Sequence, residues 1–144
     1  MKTIFHATTG ALTFLMLSLF MIGSLASLIF YPHEVFIESK SLILQSFWSF
    51  IPALCITAAI GWSLSRGRSD PLIQVKRMRM LWIAGVSLLI LLPTAYYLHL
   101  SASTGEIDLY FYLIQGVEIL FDLTVLLLLG LNFRDGSKLI AQRM

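Results

Sequence analysis

The chain has 144 residues, of which 58% are hydrophobic and only 12% are charged. Soluble domains carry about 45–50% apolar and about 25% charged residues, so this chain lacks the polar coat that a fold in water needs. The net charge is only +2, and most basic residues flank apolar runs, which argues against nucleic-acid binding. The composition predicts a single transmembrane domain, residues 1–144, in contact with a lipid bilayer.

Four apolar runs are long enough to cross, as helices, a hydrocarbon core of roughly 30 Å. They cover about residues 4–31, 42–64, 80–100 and 109–133. We expect the first run to be an uncleaved span rather than a secretory signal, because its apolar residues continue to Tyr31. Short connections predict antiparallel neighbours. The predicted fold class is therefore all-α: an integral membrane four-helix bundle.

The basic residues predict how the bundle is oriented. Nine of the 10 Lys and Arg residues fall on one side of the predicted spans. They are Lys2, Arg66, Arg68, Lys76, Arg77, Arg79, Arg134, Lys138 and Arg143. Only Lys40 falls on the other side. The positive-inside rule then predicts that both termini are cytoplasmic (N-in/C-in), and the small size suggests a bacterial inner (cytoplasmic) membrane.

The third helix is predicted to begin before its apolar span. Asp70 can cap a helix, and Pro71 suits the first helical position because its missing N–H has no partner there. The helix would then begin near residue 71 with a basic segment that contains Lys76, Arg77 and Arg79. These side chains either contact anionic lipid headgroups or serve only as topology determinants.

Two prolines lie inside predicted spans, Pro52 in the second and Pro93 in the third. Each removes a backbone hydrogen bond and tends to kink its helix. With the predicted orientation both fall in the outer half of the membrane. Kinks there would open a cavity on the outer side; the alternative is that packing simply accommodates them.

The fourth run contains a polar stripe that is unusual for a membrane span. Gln115, Glu118 and Asp122 share one helical face. At a rise of 1.5 Å per residue, Glu118 lies about 13 Å deep and Asp122 about 19 Å deep. An ionised acid that faced lipid would cost at least roughly 2.5–3.5 kcal/mol, so we expect this face to point into the bundle or at a partner.

No Lys or Arg lies within the four predicted apolar cores, so the sequence predicts no internal salt bridge for these acids. Four alternatives remain. One or both acids carry a proton, because burial disfavours the ionised form; the two acids share a proton; they bind a cation; or they meet a basic residue of another subunit. In a purely structural role they would be neutral and hydrogen-bond hydroxyls such as Ser18, Thr57 or Ser87.

His33 and His99 are both predicted at the outer side, where they could ligate a metal or haem. The alternative is that they belong to a wet, aromatic-rich rim. Cys55 is the only cysteine and lies in an apolar run, so we expect a small packed residue. No phosphate-binding loop, zinc-protease motif or nucleophile elbow occurs, and we therefore predict neither an enzyme nor a cofactor.

These features predict one function and leave two alternatives open. The first is a non-enzymatic subunit or assembly factor of a membrane complex, favoured by small size, short loops and acids without an internal counter-charge. Its partners would be other membrane subunits or further copies of the chain. The second is a small proton- or cation-coupled transporter that uses Glu118 and Asp122. The third is an electron-transfer protein associated with haem or quinone.

Overall fold

The computed structural model describes residues 1–30 and 32–142, and the ordered elements within these ranges are all helical. The four helices comprise Lys2–Phe30, His33–Ser65, Pro71–Thr104 and Leu109–Ala141, and we number them first to fourth. Each is long and apolar enough to cross a membrane, which confirms the prediction of an all-α fold with four potential membrane spans. The first predicted span ends at Tyr31, which lies outside the described residues, as does Arg143.

The helix boundaries follow from local chemistry. Pro71 occupies the first turn of the third helix, as predicted, but the Asp70 side chain makes no capping hydrogen bond there. The third helix ends where Gly105 adopts a left-handed backbone with φ of 77°, which a residue without a Cβ accepts at little cost. The fourth helix is capped by Asp108, whose carboxylate accepts a hydrogen bond of 2.9 Å from the backbone N–H of Phe111.

The third helix widens in its middle. Ser87–Leu91 forms a π-helical turn, and the backbone N–H of Leu92 donates to the carbonyl of Ser87, five residues earlier. Pro93 has no N–H to donate to the preceding turn, and its ring would clash with the carbonyl there. A single π-turn in front of the proline relieves this conflict.

Each helix packs along a narrow seam of buried residues. In the second helix these residues follow one another at alternating intervals of four and three: Phe36, Lys40, Ile43, Phe47, Phe50, Leu54 and Thr57. The fourth helix repeats the pattern from Phe111 through Leu129. A period of 3.5 residues is that of coiled-coil packing. Because polar side chains occupy several seam positions, they are directed into the bundle rather than towards lipid.

The bundle has two ends, which differ in what they contain. We call one the Pro32 end; a small cluster of buried residues lies there, formed by Phe36, Leu98, Ala102 and Phe111. The other, the Asp70 end, holds the contact between His6 and the second helix and the ion pairs of Asp135. The main apolar core lies between them, with stacked aromatic rings of Phe20 and Phe47 at 5.6 Å.

We expect Gly61→Ala to destabilise the protein, because a Cβ at this position would lie 2.9 Å from Cε1 of His6. The shift of the ring would weaken the hydrogen bond of 3.0 Å between His6 Nδ1 and the carbonyl oxygen of Thr57. The loss should be about 1 kcal/mol, measured by thermal or denaturant unfolding in detergent.

The control for this variant is Gly116→Ala, where a Cβ would meet nothing within 4 Å. In a His6→Ala background, Gly61→Ala should lower the stability only slightly, because the imidazole ring that the new Cβ would displace is absent. An equal loss of stability in both backgrounds would contradict the proposed contact.

Candidate functional site

The principal polar feature of the core is an ion pair between the second and fourth helices. Lys40 Nζ lies 3.1 Å from Glu118 Oε2, and both side chains are buried. The prediction that the acids lack a basic partner within their own chain is therefore wrong. The second helix begins at His33 rather than near residue 42, so Lys40 belongs to the helix and lies on its buried seam.

Two neutral polar residues complete the environment of this ion pair. Lys40 Nζ donates to Ser24 Oγ at 2.5 Å and also to the side-chain oxygen of Gln115. Gln115 Nε2 donates to Glu118 Oε2 at 2.6 Å. The first, second and fourth helices therefore meet in one hydrogen-bonded network. Such bonds are needed, because a buried charge is tolerated only when it is paired and hydrogen-bonded.

Asp122 lies one helical turn beyond Glu118 on the same seam and is only 5% exposed. It is close enough for its charge to interact with those of Glu118 and Lys40. Within residues 1–30 and 32–142, however, its carboxylate takes part in no ion pair or side-chain hydrogen bond. We call Ser24, Lys40, Gln115, Glu118 and Asp122 the core cluster; it contains one base and two acids.

A cavity of about 210 Å³ lies at the Pro32 end, next to the core cluster. Its lining residues are Ser27, Leu28, His33, Phe36, Ile107 and Tyr112. Phe36 also contacts the ion pair, since its ring centre lies 5.7 Å from Lys40 Nζ. Phe36 is therefore shared by the cavity lining and the surroundings of the ion pair. The cavity lining includes neither Pro52 nor Pro93, the residues whose kinks were expected to open a cavity.

A second group of charges lies at the Asp70 end. Asp135 is buried and pairs with Arg79 Nη1 at 2.6 Å and with Arg134 Nε at 3.2 Å. Lys76 lies beside them, with its Nζ against Gly136. Arg77 is separate, because its guanidinium stacks over the ring of Trp62 at 4.0 Å. Of the basic residues predicted to contact lipid, Lys76 and Arg79 thus come together, whereas Arg77 does not join them.

The two histidines proposed as metal ligands are not brought into a metal site. No group of three or more His, Cys, Asp or Glu side chains within the described parts of the chain could hold a metal ion. His33 lines the cavity and stacks on Phe36 at 6.5 Å. His99 has a buried Nδ1 without a hydrogen-bond partner among residues 1–30 and 32–142.

The hydroxyls named as candidate partners of the acids, those of Ser18, Thr57 and Ser87, do not contact them. Ser18 donates to the carbonyl of Phe14, and Thr57 to that of Ala53, each one turn back on its own helix. Ser87 has no partner within the described residues. The hydroxyl that contacts Glu118 is Ser24, at 3.4 Å. Serine and threonine commonly donate to the preceding turn of a helix, and this local bond competes with any bond across the bundle.

The sequence did contain a signal for Lys40 and Ser24, which hydropathy alone missed. Lys40 stands four residues after Phe36 and three before Ile43, in phase with the apolar seam. Ser24 likewise follows Phe20 on the seam of the first helix. A polar residue in phase with such a seam is directed into the bundle.

The chain was compared with protein-family models, curated proteins and solved structures, and none of them matches. Its function must therefore be inferred from the chemistry of its own residues.

We expect Lys40→Met to be strongly destabilising, because it leaves Glu118 buried without a counter-charge. Breaking one half of a buried pair costs about 3–5 kcal/mol, whereas apolar replacement of both partners is often close to neutral. The double variant Lys40→Met/Glu118→Leu should therefore unfold at a higher denaturant concentration than Lys40→Met alone.

The matched control is Lys138→Met, since Lys138 is an exposed lysine near the end of the fourth helix. Its stability should stay near that of the wild type. If Lys40→Met were as stable as Lys138→Met, the buried ion pair would be refuted.

Proposed function

We propose that this protein is a small proton- or cation-coupled membrane transporter and that the core cluster is its coupling site. The observation that carries this proposal is the unequal charge of the cluster, in which Lys40 can neutralise only one of two buried acids. Intramembrane acids of this kind commonly mark ion and proton pathways.

The negative charge of the second acid, Asp122, must also be compensated. An isolated ionised acid near the middle of a bilayer costs at least roughly 2.5–3.5 kcal/mol. Asp122 therefore holds a proton or faces a bound cation whenever Lys40 and Glu118 form their ion pair. The proton is favoured by the packing, because it needs no additional space beside a carboxylate that is 5% exposed. Loss of that proton would draw Lys40 towards Asp122 and weaken its bond to Glu118.

In this proposal the cavity at the Pro32 end is the route from the core cluster to solvent, which opens when Phe36 moves. Its volume of about 210 Å³ suits water, ions or a small solute. Phe36 lines the cavity and contacts Lys40, and a change of its rotamer would join the cavity to the core cluster. Access from one side at a time is what alternating access requires.

The orientation and location belong to the same proposal. We propose antiparallel neighbouring helices with both termini in the cytoplasm, supported by the distribution of basic residues. The Pro32 end, with its cavity, then faces outwards. A bacterial inner membrane fits the small size of the chain. The protein would act on a gradient and catalyse no covalent reaction.

One argument for the alternative hypothesis, a subunit or assembly factor of a larger complex, no longer holds. It relied in part on acids that lacked a counter-charge, and Lys40 supplies that charge to Glu118. Small size and short connections still fit it, and purification in mild detergent with mass spectrometry would reveal co-purifying subunits. The hypothesis of an electron-transfer protein relied on His33 and His99, and no observation on the described residues favours it.

The test uses proteoliposomes that contain the purified protein and a trapped pH-sensitive dye. A gradient of Na⁺ or of the organic cation tetraphenylphosphonium is imposed, and proton movement is followed in the dye signal. We expect proton flux above that of empty liposomes. Asp122→Asn should reduce the flux to the empty-liposome rate, because the exchangeable proton site is lost.

Glu106→Gln provides the matched control, since it removes an exposed acid near the Pro32 end. It should retain the wild-type rate. Equal flux in the wild type and Asp122→Asn would remove this acid from the mechanism. Wild-type flux no greater than that of empty liposomes with either cation would refute the proposal as stated.

A further inference from the structure

We propose that Lys76, Arg79 and Arg134 form a binding site for the phosphate group of an anionic phospholipid at the Asp70 end of the bundle. We call these residues, together with Asp135, the basic cluster. The proposal is independent of the transport function, because the cluster lies at the opposite end of the bundle from the cavity and shares no residue with the core cluster.

The charges of the basic cluster do not balance. Three basic side chains surround the single carboxylate of Asp135, which leaves an excess of two positive charges. Asp135 is 1% exposed and holds Arg79 and Arg134 by hydrogen bonds of 2.6 and 3.2 Å. The carboxylate thereby positions two guanidinium groups from different helices without neutralising both of them.

Lys76 adds the third positive charge. Its Nζ lies 3.1 Å from the position that a Cβ on Gly136 would occupy. Because Gly136 has no side chain, the ammonium group can pack against the fourth helix. Lys76 is also near enough to Asp135 and Arg79 to interact with their charges. Its Nζ donates no hydrogen bond to the described part of the chain. An ammonium group with three donors is thus available to an added acceptor.

The position of the cluster indicates which anion it meets. Arg134 is 58% exposed and follows directly after the apolar stretch of the fourth helix, while Lys76 and Arg79 precede that of the third. Charged groups just beyond apolar helical segments lie at the depth of lipid headgroups. Guanidinium groups pair with phosphate oxygens through two hydrogen bonds, and basic pockets between membrane helices bind anionic headgroups.

The test measures lipid binding to the purified protein by native mass spectrometry, with phosphatidylglycerol and phosphatidylcholine compared at equal concentration. The wild type should bind phosphatidylglycerol more tightly. Lys76→Gln and Arg134→Gln should each weaken that binding about fivefold, as expected for one lost charge. Both variants leave the pair between Arg79 and Asp135 intact, and helical circular dichroism would check that they fold.

Arg66→Gln is the matched control, because it removes one positive charge from an exposed position in the connection before the third helix. It should leave binding unchanged; a loss equal to that of Lys76→Gln would show general electrostatic attraction and overturn the proposal. Equal binding of the two lipids by the wild type would also overturn it. Inorganic phosphate should compete only weakly, and complete displacement at equimolar phosphate would assign the site to free phosphate instead.

Discussion

The ion pair between Lys40 and Glu118 determines how three of the helices are aligned. Both charges are removed from water, so neither helix can rotate or slide without leaving a buried charge unpaired. A slip of one residue would turn either side chain by about 100° around its helix axis. Ser24 adds the first helix to the same network.

Apolar seams alone would allow several registers of similar energy, because lipid tails solvate apolar side chains as well as a packed core does. The buried pair selects among these registers, as a polar residue in a coiled-coil seam does.

The seams explain why the polar residues converge. Positions spaced alternately by three and four residues stay on one face, so any residue in phase is directed to the interior. In the fourth helix this applies to Gln115, Glu118 and Asp122. The same rule applies to Lys40, whose ammonium group lies over the Phe36 ring and reaches Glu118. The π-turn at Ser87–Leu91 keeps the third helix in phase past Pro93, since Leu91, Ala95 and Leu98 all remain buried.

The number of helices, their type and the inward face of the acidic stripe could be read from the sequence, because hydropathy and helical periodicity are local properties. The partner of the acids could not be found by hydropathy, since a window that looks for apolar residues excludes the lysine near the start of the seam of the second helix. That window began the second span near residue 42 and so assigned Lys40 to a loop. Ser24 rather than Thr57 meets the acids because Thr57 lies at another level of the bundle, near Gly10, and this alignment between helices is not a local property of the sequence. The cavity and the contact of Lys76 with Gly136 depend on how helices distant in sequence approach one another.

Among the residues of the core cluster, Asp122 is the one that a purely structural role explains least well. Glu118 already satisfies Lys40 and fixes the register, and the next seam positions, Val125 and Leu129, show that apolar residues fill this face well. An acid in the place of a valine or leucine costs free energy of desolvation, and within the described residues no side-chain hydrogen bond offsets that cost. Residues that break a local rule without a compensating contact are expected at functional sites. The unequal number of acids and bases in the core thus supports the proposed exchange of a proton or cation.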